Sequence, residues 1–492
     1  MKPREKIIRL VSLLFMGVGI PVLLGPGPAL ADTGPWSEPV AVSDYPELPW
    51  SWFPSIAIDR QSNIHMVWSA SIGTQKDGKD AIMYSRWDGK SWSKPNDLAV
   101  RNFGDIMRPS ILADAYGNVH LFYLYHNILH SKASVEKAWS VAAWSNPKII
   151  SEGTGAPYIS SAVMDSSGAI HVVWVESAGV CGTCYRVFYR NSKDGGLTWS
   201  SRVTLSANLA DRAQLQIRAD AEDRLHVAWE EVNEQGSHLS AAYASSTDGG
   251  KNWSPPVYFV PPAGQSAEQP AIGVDGQGNI LAVWRTKPGN QKYYQVSSDG
   301  GKSWTSPAQI PGSAARSAPD PPFDKYDMST DSGGNVHLVS TADKEGGQTE
   351  AELHHSEWNG RSWGRPQVIY SGPLYPEYPT VLITEGNKLN VVWFTRRNVW
   401  EDGGMKVWYS SARSTSPKLP VPTQMPAPPT ATPSPVAPKT PTPTPIPLEP
   451  SESGGDSDLL HAPSLPLAAG VAPVVVLLLT VSAVRLRRRW RR

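Results

Sequence analysis

Ala169-Ile170-His171-Val172-Val173-Trp174 is a short run dominated by β-branched and aromatic residues, and it returns along the chain. The other copies are Asn63 to Trp68, Asn118 to Tyr123, Arg224 to Trp229, Asn279 to Trp284, Asn335 to Ser340 and Lys388 to Trp393. Their ends, running from residue 68 to residue 393, set a period of about 54 residues. Such runs, bounded by turn residues, read as strands. Around the third copy lie three more strand segments, near Ile159–Asp165, Arg186–Asn191 and Thr198–Leu205. Four short strands per unit, with no helical periodicity in the body, predict an all-β chain: a seven-bladed β-propeller of four-stranded blades. A β-helix would show a far shorter repeat.

A second signal has a similar period. Trp followed by a small or polar residue, usually with Pro three positions on, occurs at Trp36, Trp92, Trp144, Trp199, Trp253, Trp304 and Trp363. Its first copy precedes the first strand run, and no copy follows Trp393. The strand near Trp36 is therefore expected beside the strand near Met405–Ser410. That N-terminal strand would close the last blade and remove an open sheet edge.

Outside the body, 32–413, the composition changes. Lys2, Arg4, Lys6 and Arg9 precede an apolar run to Leu24, and Ala29-Leu30-Ala31 follows, so 1–31 reads as a signal peptide. Residues 414–464 are rich in Pro and Thr and read as a disordered, extended stalk. Residues 465–484 carry no charge over a length that crosses a bilayer, so they read as one C-terminal transmembrane helix. The arginine-rich tail, 485–492, is expected in the cytoplasm, which puts the propeller outside the cell membrane.

Lys and Arg together number 45, as do Asp and Glu. The formal charge is zero, and no general attraction to nucleic acid is implied. The two cysteines, Cys181 and Cys184, read as a local disulfide in an extracellular chain. No zinc shell or EF-hand run is present, and no motif calls for a metal or cofactor. His65, His120, His171, His226 and His337 share one position of the repeat. Being in different blades, they are expected to be structural, not a metal ring.

Three units carry a sharper motif: Ser192-Lys193-Asp194-Gly195-Gly196-Leu197-Thr198-Trp199, Ser246 to Trp253 around Asp248, and Ser297 to Trp304 around Asp299. An Asp here can accept amides of its own turn, Gly supplies a positive φ, and Trp buries a large face. Asp194, Asp248 and Asp299, with Trp199, Trp253 and Trp304, therefore read as turn braces. The pattern resembles the Asp box of the sialidase-like, BNR-repeat propellers. The resemblance implies boxes between third and fourth strands, away from any active site. That family holds sialidases, other glycosidases and non-catalytic binding proteins, so fold follows from it more firmly than reaction.

Propeller ligands usually meet one end of the central channel. The starts of the first strands place Trp52, Arg108, Tyr158, Arg212, Glu268, Tyr326, Asp327 and Tyr378 there; the ends of the second strands add Glu176, Glu230, Arg285 and Arg396. A sialidase resemblance implies three arginines for a carboxylate, for which Arg108, Arg285 and Arg396 are the candidates. It implies a tyrosine nucleophile, Tyr326 or Tyr378, beside Glu230 or Glu268, with Asp327 as the acid. Arg212, Glu176, Trp52 and Tyr158 would line the ligand. Two departures stand against this chemistry. The family's Arg-Ile-Pro signature is missing, its nearest text being Met107-Arg108-Pro109-Ser110, and familiar sialidases have six blades. Three functions follow as expectations: recognition of glycans or of envelope and extracellular proteins without catalysis, sialidase-like hydrolysis, or a structural display head.

Overall fold

The computed structural model describes residues 35–421, apart from 74–77, 103–106, 313, 317–324, 345–349 and 398–404. The expected signal peptide, most of the stalk and the expected transmembrane helix lie outside the described residues. Among the described residues no helix is long and apolar enough to cross a membrane. Among the described residues the chain is all-β apart from a single 3-10 turn at Val141–Ala143.

The strands form antiparallel four-stranded meanders. Their first strands are Trp50–Ile58, Met107–Ala113, Pro157–Met164, Leu209–Ala219, Ser266–Val274, Asp327–Thr330 and Tyr375–Thr384. The third and fourth meanders share one sheet, joined only at Tyr185 and Ala210. First strands of successive meanders pack side by side, and the seventh returns to the first. They wall a channel of about 1080 Å³. This is the arrangement of a propeller.

The second strands explain the sequence signal. Ile64–Ile72 and Leu225–Val232 are buried almost throughout, because neighbouring sheets cover both faces. Trp68, Trp174, Trp229, Trp284 and Trp393 are among the largest fully buried side chains. Truncating one to Ala would cost about 3–5 kcal/mol.

The repeated histidines sit in separate meanders, each in a local relay. Asp59 Oδ1 accepts the amides of Gln61 and Asn63, both at 2.9 Å, and its Oδ2 lies 3.2 Å from His65 Nε2. His65 Nδ1 meets the Tyr84 hydroxyl at 2.7 Å. Asp165–His171–Tyr189 and Asp220–His226–Tyr243 repeat the arrangement. In the second and sixth meanders His130 and His355 take the tyrosine's place. Burial pushes the tyrosines up, Tyr243 to about 12, and pushes His130 and His355 down to about 3.

The Asp boxes tie meanders together. Asp248 Oδ1 accepts the Asn252 amide at 2.9 Å, and Ser246 Oγ accepts the Gly250 amide at 2.9 Å. Trp253 packs edge-on against Tyr189 of the preceding meander at 4.9 Å, and Trp304 does the same to Tyr243 at 5.2 Å. Gly250 has φ +82, and a Cβ there would fall 1.8 Å from the Tyr189 hydroxyl. Only glycine fits.

The N-terminal strand closes the last meander as expected. Val40 pairs with Tyr409 and Ala41 with Trp408. Cys181 and Cys184 form a disulfide. Strand alternation sets the first turns and the Asp boxes at one end of the channel. The loops after the second strands, and the connections between meanders, lie at the other.

Candidate functional site

At that second end the first strands break register. The breaks fall between Trp52 and Ser55, Met107 and Ser110, Pro157 and Ser160, Ala210 and Leu215, Glu268 and Ala271, and Glu377 and Thr380. These are β-bulges, which re-aim side chains. Four bulges hold a bulky residue at positive φ: Phe53 at 54°, Arg108 at 56°, Gln269 at 56° and Tyr378 at 55°. Such outliers persist only where the surroundings fix them. Here the neighbouring second strand supplies an acceptor. Ser69 Oγ takes the Arg108 amide at 3.1 Å, and Glu230 Oε1 takes the Gln269 amide.

The bulged residues touch one another around the mouth. Lys325 Nζ stands over the Tyr378 ring at 4.5 Å, and Tyr378 meets Phe53 edge-on at 5.2 Å. The Arg108 guanidinium lies 4.8 Å from the Phe53 centroid and 4.1 Å from that of Tyr158, and it donates to the Tyr158 hydroxyl at 2.9 Å. Five successive units thus build an arc of cationic and aromatic groups. Each stacked cation contributes about 0.5–2 kcal/mol. Trp52 flanks the arc, 6.4 Å from Phe53.

Beside the arc lies a buried basic cluster. Arg396 forms a fork on Glu377, Nε to Oε2 at 2.7 Å and Nη2 to Oε1 at 2.8 Å. Arg316 reaches the same carboxylate at 2.5 Å, and Arg285 donates to the Arg316 carbonyl at 2.7 Å. Two guanidinium groups therefore hold one carboxylate, and a third caps the backbone of Arg316, each at most 4% exposed. Such forks suit planar anions.

The opposite side of the mouth is acidic. Glu230 Oε2 lies 2.8 Å from His238 Nδ1, and Asp211 and Glu268 act on both electrostatically. Burial pushes Glu230 up to about 7, against the pull of His238. For His238 burial works downward, but the contact with Glu230 and the surrounding carboxylates outweigh it and raise the imidazole to about 9.

The expected site residues divide accordingly. Arg285 and Arg396 come together through Arg316 and Glu377, whereas Arg108 belongs to the aromatic arc with Tyr158 and Tyr378. Tyr326 is fully buried, packed with Ala271, Leu338 and Met328. Asp327 is buried, in an ion pair with Arg218 that spans from the fourth first strand to the sixth, and it accepts the Val381 amide at 2.9 Å. Glu268 accepts the Ser266 hydroxyl at 2.8 Å and sits across the ladder from Arg285. Glu176 is held by Arg202 at 3.2 Å, by the Gly155 amide at 3.1 Å and by the Trp174 indole at 3.3 Å. Its counterpart two residues past the repeat's Trp is Glu231, not Glu230, so strand alternation turns Glu176 and Glu230 to opposite faces. Arg212 falls on Leu209–Ala219, but its side chain lies outside the described residues.

Glu377 falls at a first-strand start, where a rim residue is expected; Arg316 and His238 complete the two charged clusters, and the repeat pointed to neither. Arg316 lies between meanders, where the repeat gives no register. The bulges did leave a signal: Phe53-Pro54, Arg108-Pro109, Gln269-Pro270 and Tyr378-Pro379 recur at the same point of the unit.

A ring of four-stranded antiparallel meanders, braced by Asp boxes and bearing a charged and aromatic mouth, defines a BNR and sialidase-like β-propeller. The chain belongs to the BNR repeat-like domain family, whose model matches residues 132–391. It is similar to a protein of unknown function from Dyadobacter fermentans, at 12% identity over 77% of this chain and 99% of that one, with a TM-score of 0.50. It is also similar to an ulvan lyase, at 12% identity over 73% and 94% of the two chains, TM-score 0.50. A variant of the NanB sialidase of Streptococcus pneumoniae shares 15% identity over 77% and 71%, TM-score 0.44. No curated protein sequence matches the chain.

Proposed function

We propose that this chain is a seven-bladed, cell-surface propeller that recognises glycans at the mouth of its channel without breaking bonds. The observation that carries the reading is the arc Lys325–Tyr378–Phe53–Arg108–Tyr158, with the Arg316 and Arg396 pair on Glu377, the residue before Tyr378. Aromatic faces suit the apolar faces of sugar rings, and guanidinium forks suit carboxylate or sulfate groups. The ulvan lyase of like fold makes polysaccharides the first ligands to try. Support for a non-catalytic role is that Tyr326, Glu230 and Asp327 are engaged in packing, amide capping and an ion pair. Seven first strands packed in order, the last against the first, support the blade count. Attachment rests on the composition of 1–31 and 414–492.

A glycan array probed with the soluble propeller tests recognition. Binding to a defined glycan set, weakened at least tenfold by Arg108→Ala in a protein that stays folded, is expected. Turnover of a fluorogenic sialoside, lost on Tyr378→Phe, would replace this reading with sialidase-like hydrolysis. No binding to any glycan, with capture of one envelope protein, would move the reading to protein recognition. Surface attachment is tested by protease shaving of intact cells, which should release the propeller and leave a C-terminal stub with the membranes.

A further inference from the structure

The Pro-containing stretch after the last strand, Lys406–Arg413, does not leave the ring at once. Residues 414–421 run across the turn end of the channel, where the first turns of the sixth and seventh meanders lie. The contacts alternate between the two. Ser414 donates its amide to the Asn387 carbonyl at 2.9 Å and its hydroxyl to Asp331 Oδ2 at 2.8 Å. Asn335 Nδ2 donates to Ser416 Oγ at 3.2 Å, and Asn387 Nδ2 to the Ser416 carbonyl at 2.9 Å. The Ser332 hydroxyl donates to the Pro417 carbonyl, and the Leu419 amide to the Glu385 carbonyl at 2.7 Å. Ser416 is 8% exposed, and Leu419 and Pro420 line the channel.

Charge and space fit the same path. Glu385 receives Arg413, the last residue of the preceding strand, at 2.7 Å and Lys418 of the segment at 3.3 Å. Gly333 and Gly386 leave the groove for it. A Cβ at Gly333 would fall 2.3 Å from Ser416 Oγ, and one at Gly386 would fall 2.7 Å from Leu419 Cγ. Pro417 and Pro420 fix an extended backbone that needs few amide partners.

We propose that the turn ends of the sixth and seventh meanders form a peptide-binding groove for an extended Ser- and Pro-containing segment, occupied by the chain's own residues 414–421. The strap is a second clasp of the ring. The strand Val40–Ala41 closes the ring within the last sheet. The strap instead ties that last meander to its predecessor at the turn end of the channel, where Leu419 and Pro420 join its lining.

The test uses the full chain with Gly333→Cys and Ser416→Cys. A Cβ at Gly333 lies 3.2 Å from that of Ser416, close to the separation of about 3.5–4.5 Å that a disulfide needs. Under mild oxidant both new thiols should be lost to alkylation, while each single variant keeps its thiol. Tryptic cleavage after Lys418 should then be at least tenfold slower in the oxidised protein than in the reduced one. Free thiols in a folded double variant would overturn the proposal. Should the double variant fail to fold, hydrogen exchange of the unaltered chain decides. Amides of Ser414 and Leu419 slowed about a hundredfold against unstructured peptide support the strap, and amides exchanging at the unstructured rate refute it.

Discussion

Gly249 and Gly250 are neighbours in one Asp box, both in the left-handed region, at φ +70 and +82. They differ in what surrounds them. A Cβ at Gly249 meets nothing within 4 Å, whereas one at Gly250 falls 1.8 Å from the hydroxyl and 2.2 Å from Cζ of Tyr189. Alanine at either position incurs the backbone cost, about 1–2 kcal/mol. At Gly250 it must also displace a buried tyrosine. That ring bonds His171 at 2.7 Å and the Gly249 carbonyl at 3.3 Å, and it packs on Trp253 at 4.9 Å. Losing the two hydrogen bonds and the aromatic contact adds about 2–4 kcal/mol. Gly250→Ala should therefore cost about 3–6 kcal/mol, and Gly249→Ala about 1–2 kcal/mol. Urea denaturation of the soluble propeller, followed by tryptophan fluorescence, measures both. Equal losses for the two variants would refute the argument that the box glycine is there to admit the neighbouring meander's tyrosine. Gly301 and Gly300 repeat the comparison in the next box, where the Cβ at Gly301 would meet Tyr243 at 2.7 Å.

Other outcomes follow from the same contacts. His238 should titrate near 9 by NMR, and Glu230→Gln should bring that midpoint down toward or below 6.5, because the charge that outweighs burial is gone. Its folded pKa being raised, the stability it contributes is complete below about 6.5 and is lost as pH rises through about 9; in His238→Ala that loss should vanish from melting curves. Asp220 behaves oppositely. Burial would raise its carboxyl, but the bonds from the His226 and Arg224 side chains and the Arg224 amide hold it near 2, so its contribution is present above about 4 and lost as pH falls through about 2. Asp220→Asn should flatten that part of the acid transition. Deleting residues through Ser43 uncovers the edge of Lys406–Arg413, and light scattering should then detect association that the complete ring does not show.

The strand repeat was legible because burial on both faces demands a continuous apolar run, and the closing strand because Trp36 preceded its own unit. The mouth was legible by position but not by partner. Glu230 and Glu176 look alike in sequence, yet Glu230 stands one residue past its Trp and Glu176 two, so Glu230 turns toward Gln269 and His238, while Glu176 faces Trp174 and Arg202. Asp327 fell where an acid was expected, but Arg218, two meanders away, claims it across the channel. Contacts between units, such as Arg285 with Arg316, depend on connections that carry no repeat and so left no periodic trace.

The ring that each braced meander offers, His130, Tyr189 or Tyr243, and the box that grips it lie on different units, always in the same order. The joint has a donor side and a receiver side, like the head-to-tail contact of a cyclic oligomer. Such a joint closes only at the number of units its angle allows. A duplicated or deleted meander would meet correct partners at every pair and still miss closure, so selection on the ring acts on whole units and on their curvature together.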